Sequence, residues 1–142
     1  MNVLEIGVAG IPTRPNENRR LHWGARAAGE KTYREAARLA ALAALRSSGR
    51  ADDYPLRRAT LEYVFVLERA AGDLDGLVAA SKPILDGIVE AGVLVDDRVS
   101  VLVGLTARWV RGPKAGVILR VRDATMAEPD RTGSDTKEGK DA

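Results

Sequence analysis

Hydrophobic and polar residues alternate in several short stretches of the chain, which is the pattern of β-strands with one buried face. In residues 61–67 the odd positions are Leu, Tyr, Phe and Leu, and in residues 99–109 every odd position is apolar. Residues 3–9 and 117–122 are also rich in apolar and β-branched side chains. These stretches predict four strands, and Gly112-Pro113 predicts a turn that joins the last two as an antiparallel hairpin.

Two further stretches have the spacing of helices. In residues 30–45, one helical face would carry Tyr33, Ala36, Ala40 and Ala43. Three leucines lie beside that face: Leu39, Leu42 and Leu45. Residues 76–91 predict a second helix, in which Pro83 should cause a bend or a late start. The predicted order is β-α-β-α-β-β, an α+β fold with a small mixed sheet and two main helices.

Length and composition set limits on the class of protein. The 142 residues predict one domain, residues 1–125, followed by a disordered charged tail, residues 126–142. The absence of cysteine excludes disulfides and thiolate metal sites, and a single histidine leaves no pair for a zinc centre. No apolar run reaches membrane-spanning length, so we expect a cytoplasmic protein without a membrane partner.

Four aspartates form the candidate chemistry. Asp73 and Asp75 follow the strand of residues 61–67, and Asp96-Asp97 precede the strand that begins at residue 99. In an extended segment Asp73 and Asp75 would project to the same side, with Leu74 toward the core, and could hold one cation together. Hard divalent cations prefer such oxygen ligands. The residues alone leave the alternatives open, namely a helix N-cap at Asp75 and a turn at Asp96-Asp97.

Lys82 lies seven residues after Asp75, close to two helical turns. An unbroken helix would therefore place both side chains on one face, where the lysine would contact a scissile phosphate or stabilise a leaving oxygen. A solvent-exposed helix lysine is the alternative.

The charge balance suggests a polyanionic partner. Residues 1–126 contain 19 bases and 15 acids, and setting aside the four aspartates as a metal pocket leaves a net charge of +8. A basic surface around an acidic pocket suits a nucleic acid whose backbone is cleaved. Ordinary solvated Arg and Lys side chains would give the same count.

Several short motifs together resemble the signature of RusA-type Holliday junction resolvases, which are small phage-derived endodeoxyribonucleases of DNA recombination and repair. The resemblance spans most of residues 3–122, including a Pro/Asn-rich turn with Pro15 and Asn18, but only residues 73–97 are specific. The matching motifs are Asp73-Leu74-Asp75-Gly76-Leu77, Lys82-Pro83, Leu85-Asp86-Gly87, Ala91-Gly92 and Val95-Asp96-Asp97.

The resemblance implies a RusA-like homodimer that binds four-way DNA junctions and nicks opposing strands with Mg²⁺ or Mn²⁺. Asp73, Asp75 and Asp97 would bind the metal, with Asp96 as a supporting acid, and Lys82 would be the active-site lysine. The chain departs from the family pattern in two ways: Gly76 stands where asparagine is usual, and Lys82 follows Asp75 about three residues later than in the compact motif.

Basic and aromatic residues near the two ends of the domain are candidate DNA contacts. Trp23 would stack on an unpaired base or pack internally. The full set is Arg14, Arg19, Arg20, His22, Trp23, Arg108, Arg111 and Lys114. A nuclease of different branched-DNA specificity and a catalytically silent branched-DNA-binding module are the alternative functions. A phosphohydrolase acting on nucleotides is weaker, because the chain has no Gly-rich phosphate loop.

Overall fold

A computed structural model describes residues 3–11 and 23–125, without the side chains of residues 23–28. It has an α+β fold, in which three helices accompany a four-stranded mixed sheet. The elements in chain order are β1 (Val3–Ala9), α1 (Trp23–Ser48), a 3-10 turn (Ala51–Asp53), β2 (Ala59–Leu67), α2 (Leu74–Ala80), α3 (Lys82–Glu90), β3 (Leu102–Arg111) and β4 (Gly116–Asp123). The predicted first strand is confirmed with the same bounds. The predicted tail lies outside the described residues.

The strand order is β1-β4-β2-β3, so the predicted hairpin of the last two strands is wrong. Strand β2 pairs in parallel with β3 on one side and antiparallel with β4 on the other. The short connection after β3 therefore passes the end of β2, where the Gly112 N–H donates to the Leu67 carbonyl at 3.0 Å. Apolar burial explains the order: Val117, Leu119 and Val121 of β4 are almost fully buried in a central position, whereas β3 supplies the more exposed edge.

The core lies between one face of the sheet and helices α1 and α3. Tyr63 and Phe65 of β2 are buried there with their rings stacked at 5.6 Å, as the alternation in residues 61–67 predicted. The other face carries a row of ion pairs across the strands. Arg120 contacts both Glu5 and Glu62, at 3.1 and 3.5 Å, and Arg108 contacts Glu62 at 3.3 Å.

Helix α1 buries a different stripe from the predicted one. Ala37, Ala41 and Leu45 are buried, whereas Ala36 and Ala43 are exposed. The reason is a close approach to α3, where a Cβ on Gly87 would lie 2.3 Å from the Arg34 carbonyl oxygen. Small residues at the contact let the two helices approach, and an alanine-rich sequence contains several stripes that look equally suitable.

The predicted single helix over residues 76–91 is two helices that meet at Ser81. Ser81 is fully buried, and its hydroxyl donates to the Leu77 carbonyl at 2.8 Å. Pro83 occupies the first turn of α3, where its missing N–H has no helical partner to lose. The predicted bend or late start is therefore a break, after which a second helix begins at Lys82. No helix in the described part of the chain is long and apolar enough to cross a membrane.

Candidate active site at two consecutive helix starts

The first group of candidate residues is the aspartate pair, Asp73 and Asp75. Asp73 has extended backbone angles and immediately precedes α2, while Asp75 lies in the first helical turn. The expectation that both lie in one extended segment is therefore wrong, because the chain turns into a helix between them. They nevertheless interact: a hydrogen bond with Asp75, and then the charge of Asp75, raise the pKa of Asp73.

Glycine at position 76 makes room for this pair. A Cβ built on Gly76 would lie 2.8 Å from Oδ1 of Asp73, closer than ordinary contact. Any larger residue would oblige the Asp73 carboxylate to turn away from its present position. Glycine at position 76 thus permits the present arrangement of the aspartate pair.

The second group is the lysine cluster, Lys82, Asp86 and Asp97. Lys82 begins α3, and its Nζ lies 3.1 Å from Oδ1 of Asp86 one turn along the helix. The same Nζ donates to Oδ2 of Asp97, which lies beyond the end of α3. The hydrogen bond to Asp97 contributes most to raising the pKa of Lys82, and Asp86 adds to it. Lys82 is therefore a charged group held between two carboxylates.

Asp96 has a different role from its neighbour. Its Oδ1 accepts from the Asp97 backbone N–H at 2.7 Å, and its Oδ2 accepts from Nε of Arg98 at 2.8 Å. The Asp97 N–H, followed by Arg98, lowers the pKa of Asp96. The preceding residues are fixed to Leu56, which accepts from the Val95 N–H at 3.1 Å. Asp96 thus shapes the turn that presents Asp97.

An open recess of about 250 Å³ lies beside the lysine cluster. Helix α1 contributes Arg34 to it, and Nε of Arg34 lies 3.5 Å from Oε1 of Glu90. The recess is lined by Arg34, Asp86, Val89, Glu90, Asp96 and Asp97. Its acidic wall is thus bordered by a cation from a distant part of the chain.

The structure places the predicted site residues in two groups. Lys82 contacts Asp97, but the break at Ser81 removes the single helix face that was expected to carry Lys82 and Asp75 together. Among the residues described, no set of three or more His, Asp or Glu side chains is arranged to share a metal ion. Asp97 is therefore brought to Lys82 and not into one cluster with the aspartate pair.

The predicted DNA contacts are only partly described. Arg14, Arg19, Arg20 and His22 lie outside the described residues, and Trp23 begins α1 but its side chain is not described. Arg108 is half-exposed and paired with Glu62. Arg111 and Lys114 are exposed, and neither has an ion-pair partner among the described side chains.

Three residues in or beside these groups have no role in the predictions from the sequence. The sequence could have indicated a role for Asp86, since a carboxylate four residues after a helical lysine forms a favourable ion pair. It indicates no role for Arg34, because the position of Arg34 at the recess depends on how α1 packs on α3. The alternation predicts Trp109 on a buried face of β3, but the residue is 38% exposed.

The carboxylate oxygens of the aspartate pair are the kind of ligand that a hard divalent cation prefers. A hydrogen bond with Asp75, and then the charge of Asp75, raise the pKa of Asp73. A bound cation would relieve the repulsion between the two ionised carboxylates. Asp97 is already balanced by Lys82 and would have to exchange that contact for a metal.

Comparison with models of known protein families and with curated proteins finds no match for this chain.

Proposed function

We propose that this chain is a Mg²⁺- or Mn²⁺-dependent endodeoxyribonuclease of the RusA type that acts in the cytoplasm as a homodimer. Its substrate would be a four-way DNA junction, resolved by paired phosphodiester cleavage. The observation that supports this most directly is the contact between the carboxyl groups of Asp73 and Asp75, which raises the pKa of Asp73 on a chain with a net positive charge.

The chain's own residues have distinct roles in this proposal. Asp73 and Asp75 would hold the metal, and Asp97 would be a further ligand only after it releases Lys82 and moves towards the pair, because the three carboxylates do not form one group among the described residues. The metal, when bound, would supply an acidified water and neutralise charge on the phosphate. In the hydrolysis the water oxygen bonds to phosphorus, and the bond from phosphorus to the leaving oxygen breaks.

Lys82 is the group best suited to that leaving oxygen. Its raised pKa keeps Nζ protonated at neutral pH, so Nζ would donate a hydrogen bond to a phosphate or leaving oxygen. Asp86 would orient the ammonium group, because it contacts Nζ from the same helix. Binding of the DNA arms would rest on unpaired cations such as Arg111 and Lys114, with a two-fold dimer matching the junction's approximate symmetry.

A catalytically silent branched-DNA-binding module is the second candidate. It is favoured by the absence, among the described residues, of a three-acid metal group. In that case Lys82 and Asp97 would neutralise each other permanently, and the basic surface would bind junctions without cleaving them.

Cleavage of synthetic DNA distinguishes these functions. A labelled four-way junction, a flap and a linear duplex are incubated with the protein in Mg²⁺ or Mn²⁺, with Asp75→Asn as the active-site variant. Asp52→Asn is the matched control, because Asp52 is an exposed aspartate of the 3-10 turn. We expect paired symmetrical nicks in the junction, retained in the Asp52 variant and lost in the Asp75 variant.

The other outcomes are equally informative. Tight junction binding without cleavage in either metal would contradict the enzyme and favour the binding module. Preferential cutting of the flap would indicate a nuclease of different branched-DNA specificity. Failure to bind any branched DNA would contradict the resemblance to RusA-type enzymes.

A further inference from the structure

Trp109 is an exposed aromatic side chain close to the aspartate pair. It lies on the edge strand β3 directly beside Phe65 of β2, which is completely buried on the same face of the sheet. Helix α2 packs against β3 but leaves Trp109 38% exposed. The indole is thus available to a ligand, although the strand pattern would place it in the core.

The surroundings of Trp109 form a shallow apolar recess that reaches Asp73. It is lined by Leu67, Gly72, Leu74 and Leu77 together with Asp73 and Trp109. Its cavity volume is about 60 Å³, which is small compared with the pockets that enclose drug-sized ligands. We therefore expect a planar ligand to lie across the mouth of the recess, against the exposed indole.

Two exposed arginines adjoin residues of this recess in the chain. Arg111 is exposed two residues after Trp109, so it projects from the same face of β3. Arg69 is exposed just before the residues that form the recess wall. Neither guanidinium has a hydrogen-bond or ion-pair partner among the described residues, so both are available to an anion.

We propose that Trp109 is a stacking platform for one unpaired nucleobase of the DNA that is cleaved at the aspartate pair, with Arg111 contacting the adjoining phosphate. The inference rests on the proposed function and names the feature of the substrate that the site recognises. Bases in a duplex are already stacked on each other, so an exposed indole selects nucleotides that are unpaired, as at an opened junction centre. Selection of such a nucleotide beside Asp73 would direct cleavage to branched DNA.

Charge favours DNA over a second copy of this chain as the occupant. A two-fold contact through Trp109 would bring the same surface of both copies together. Arg69 and Arg111 of one copy would then face their equivalents, and like charges in a contact are unfavourable. The phosphates of DNA carry the opposite charge, so the same two guanidinium groups would attract them.

Binding measured without divalent metal tests the proposal separately from cleavage. The affinities of the protein for a short single-stranded oligonucleotide, a four-way junction and a linear duplex are compared for Trp109→Ala and Trp109→Phe. Leu105→Ala is the matched control, because Leu105 is an exposed apolar residue on the same strand and face but outside the recess. We expect Trp109→Ala to weaken single-strand binding about tenfold, Trp109→Phe to weaken it less, and duplex binding to stay the same.

A second readout follows the indole itself. The chain has two tryptophans, so Trp23→Phe leaves Trp109 as the sole indole fluorophore. The single-stranded oligonucleotide should quench its emission, and this measurement holds even where Trp109→Ala does not fold. Absence of quenching, or equal loss of single-strand and duplex affinity in Trp109→Ala, would overturn the proposal.

Two outcomes separate this inference from its alternatives. A dimer of the wild-type protein that Trp109→Phe or Trp109→Ala converts to a monomer would show that a second copy covers the indole, and would overturn the proposal. Selective loss of single-strand binding in a protein that never cleaves a junction would support the stacking role while contradicting the nuclease.

Discussion

The contact between α1 and α3 at Gly87 gives the strongest stability prediction. A Cβ at position 87 would lie 2.3 Å from the Arg34 carbonyl oxygen and 2.9 Å from the Ala37 Cβ, whereas ordinary contact begins at 3.4 Å. The carbonyl belongs to helix backbone and cannot move aside as a rotamer. Gly87→Ala would therefore require the two helices to separate by about 1 Å, a typical overpacking strain.

The magnitude follows from two opposing effects. Overpacking of this kind destabilises by about 3 kcal/mol, at the upper end of its usual range, because backbone opposes the new methyl group. Replacing a helical glycine with alanine stabilises the helix by about 1 kcal/mol, because alanine has the higher helix propensity. The net loss is about 2 kcal/mol, which lowers the Tm by roughly 8 °C for a domain of this size.

Gly29→Ala is the matched control for Gly87→Ala. Gly29 also lies within a helix, but a Cβ built there meets nothing within 4 Å. The same substitution should then stabilise by about 0.5 to 1 kcal/mol through helix propensity alone. Thermal and urea unfolding of both variants measure the difference. Equal stability of the two variants would refute the close approach of α1 and α3, and with it the placement of Arg34 beside Asp86.

Two further predictions concern the site. Because the pKa of Asp73 is raised in the folded protein, the stability gained from its protonated form is present at acidic pH and lost as the pH rises through that pKa. Asp75→Asn should lower the pKa of Asp73 and stabilise the protein at neutral pH. NMR titration measures the pKa, and unfolding measures the stability. An unchanged Asp73 titration would disprove the contact. Asp86→Asn should slow cleavage roughly tenfold without weakening junction binding, because Lys82 loses one orienting partner. Asp52→Asn is the control. A loss of junction binding as large as the loss of cleavage rate would argue against a positioning role for Asp86.

Local patterns predicted the parts of the fold that depend on one segment at a time. The bounds of β1 and the buried face of β2 follow from apolar alternation, because burial of one sheet face imposes a period of two. The pairing of β4 with β2 does not follow, since a turn at Gly112-Pro113 is compatible with either neighbour. That choice depends on which strand has its apolar face most fully covered, and it is decided by the whole sheet.

The candidate site shows the same division between local and tertiary information. The residues of the aspartate pair and Lys82 could be identified from their types and spacing. The contact of Lys82 with Asp97 could not, because it depends on the break at Ser81 and on the turn held by Leu56. Trp109 was misplaced for a related reason: alternation predicts a face of the sheet, but not whether a helix covers it at the edge.

Single-turnover nicking of a four-way junction as Mg²⁺ is titrated, for the wild-type protein and Asp75→Asn, tests most directly whether the aspartate pair cleaves DNA. Paired nicks on opposing strands should appear with rising Mg²⁺ in the wild type and be abolished in the variant. A junction that is bound by the wild type but remains intact at every Mg²⁺ concentration would contradict the proposed cleavage.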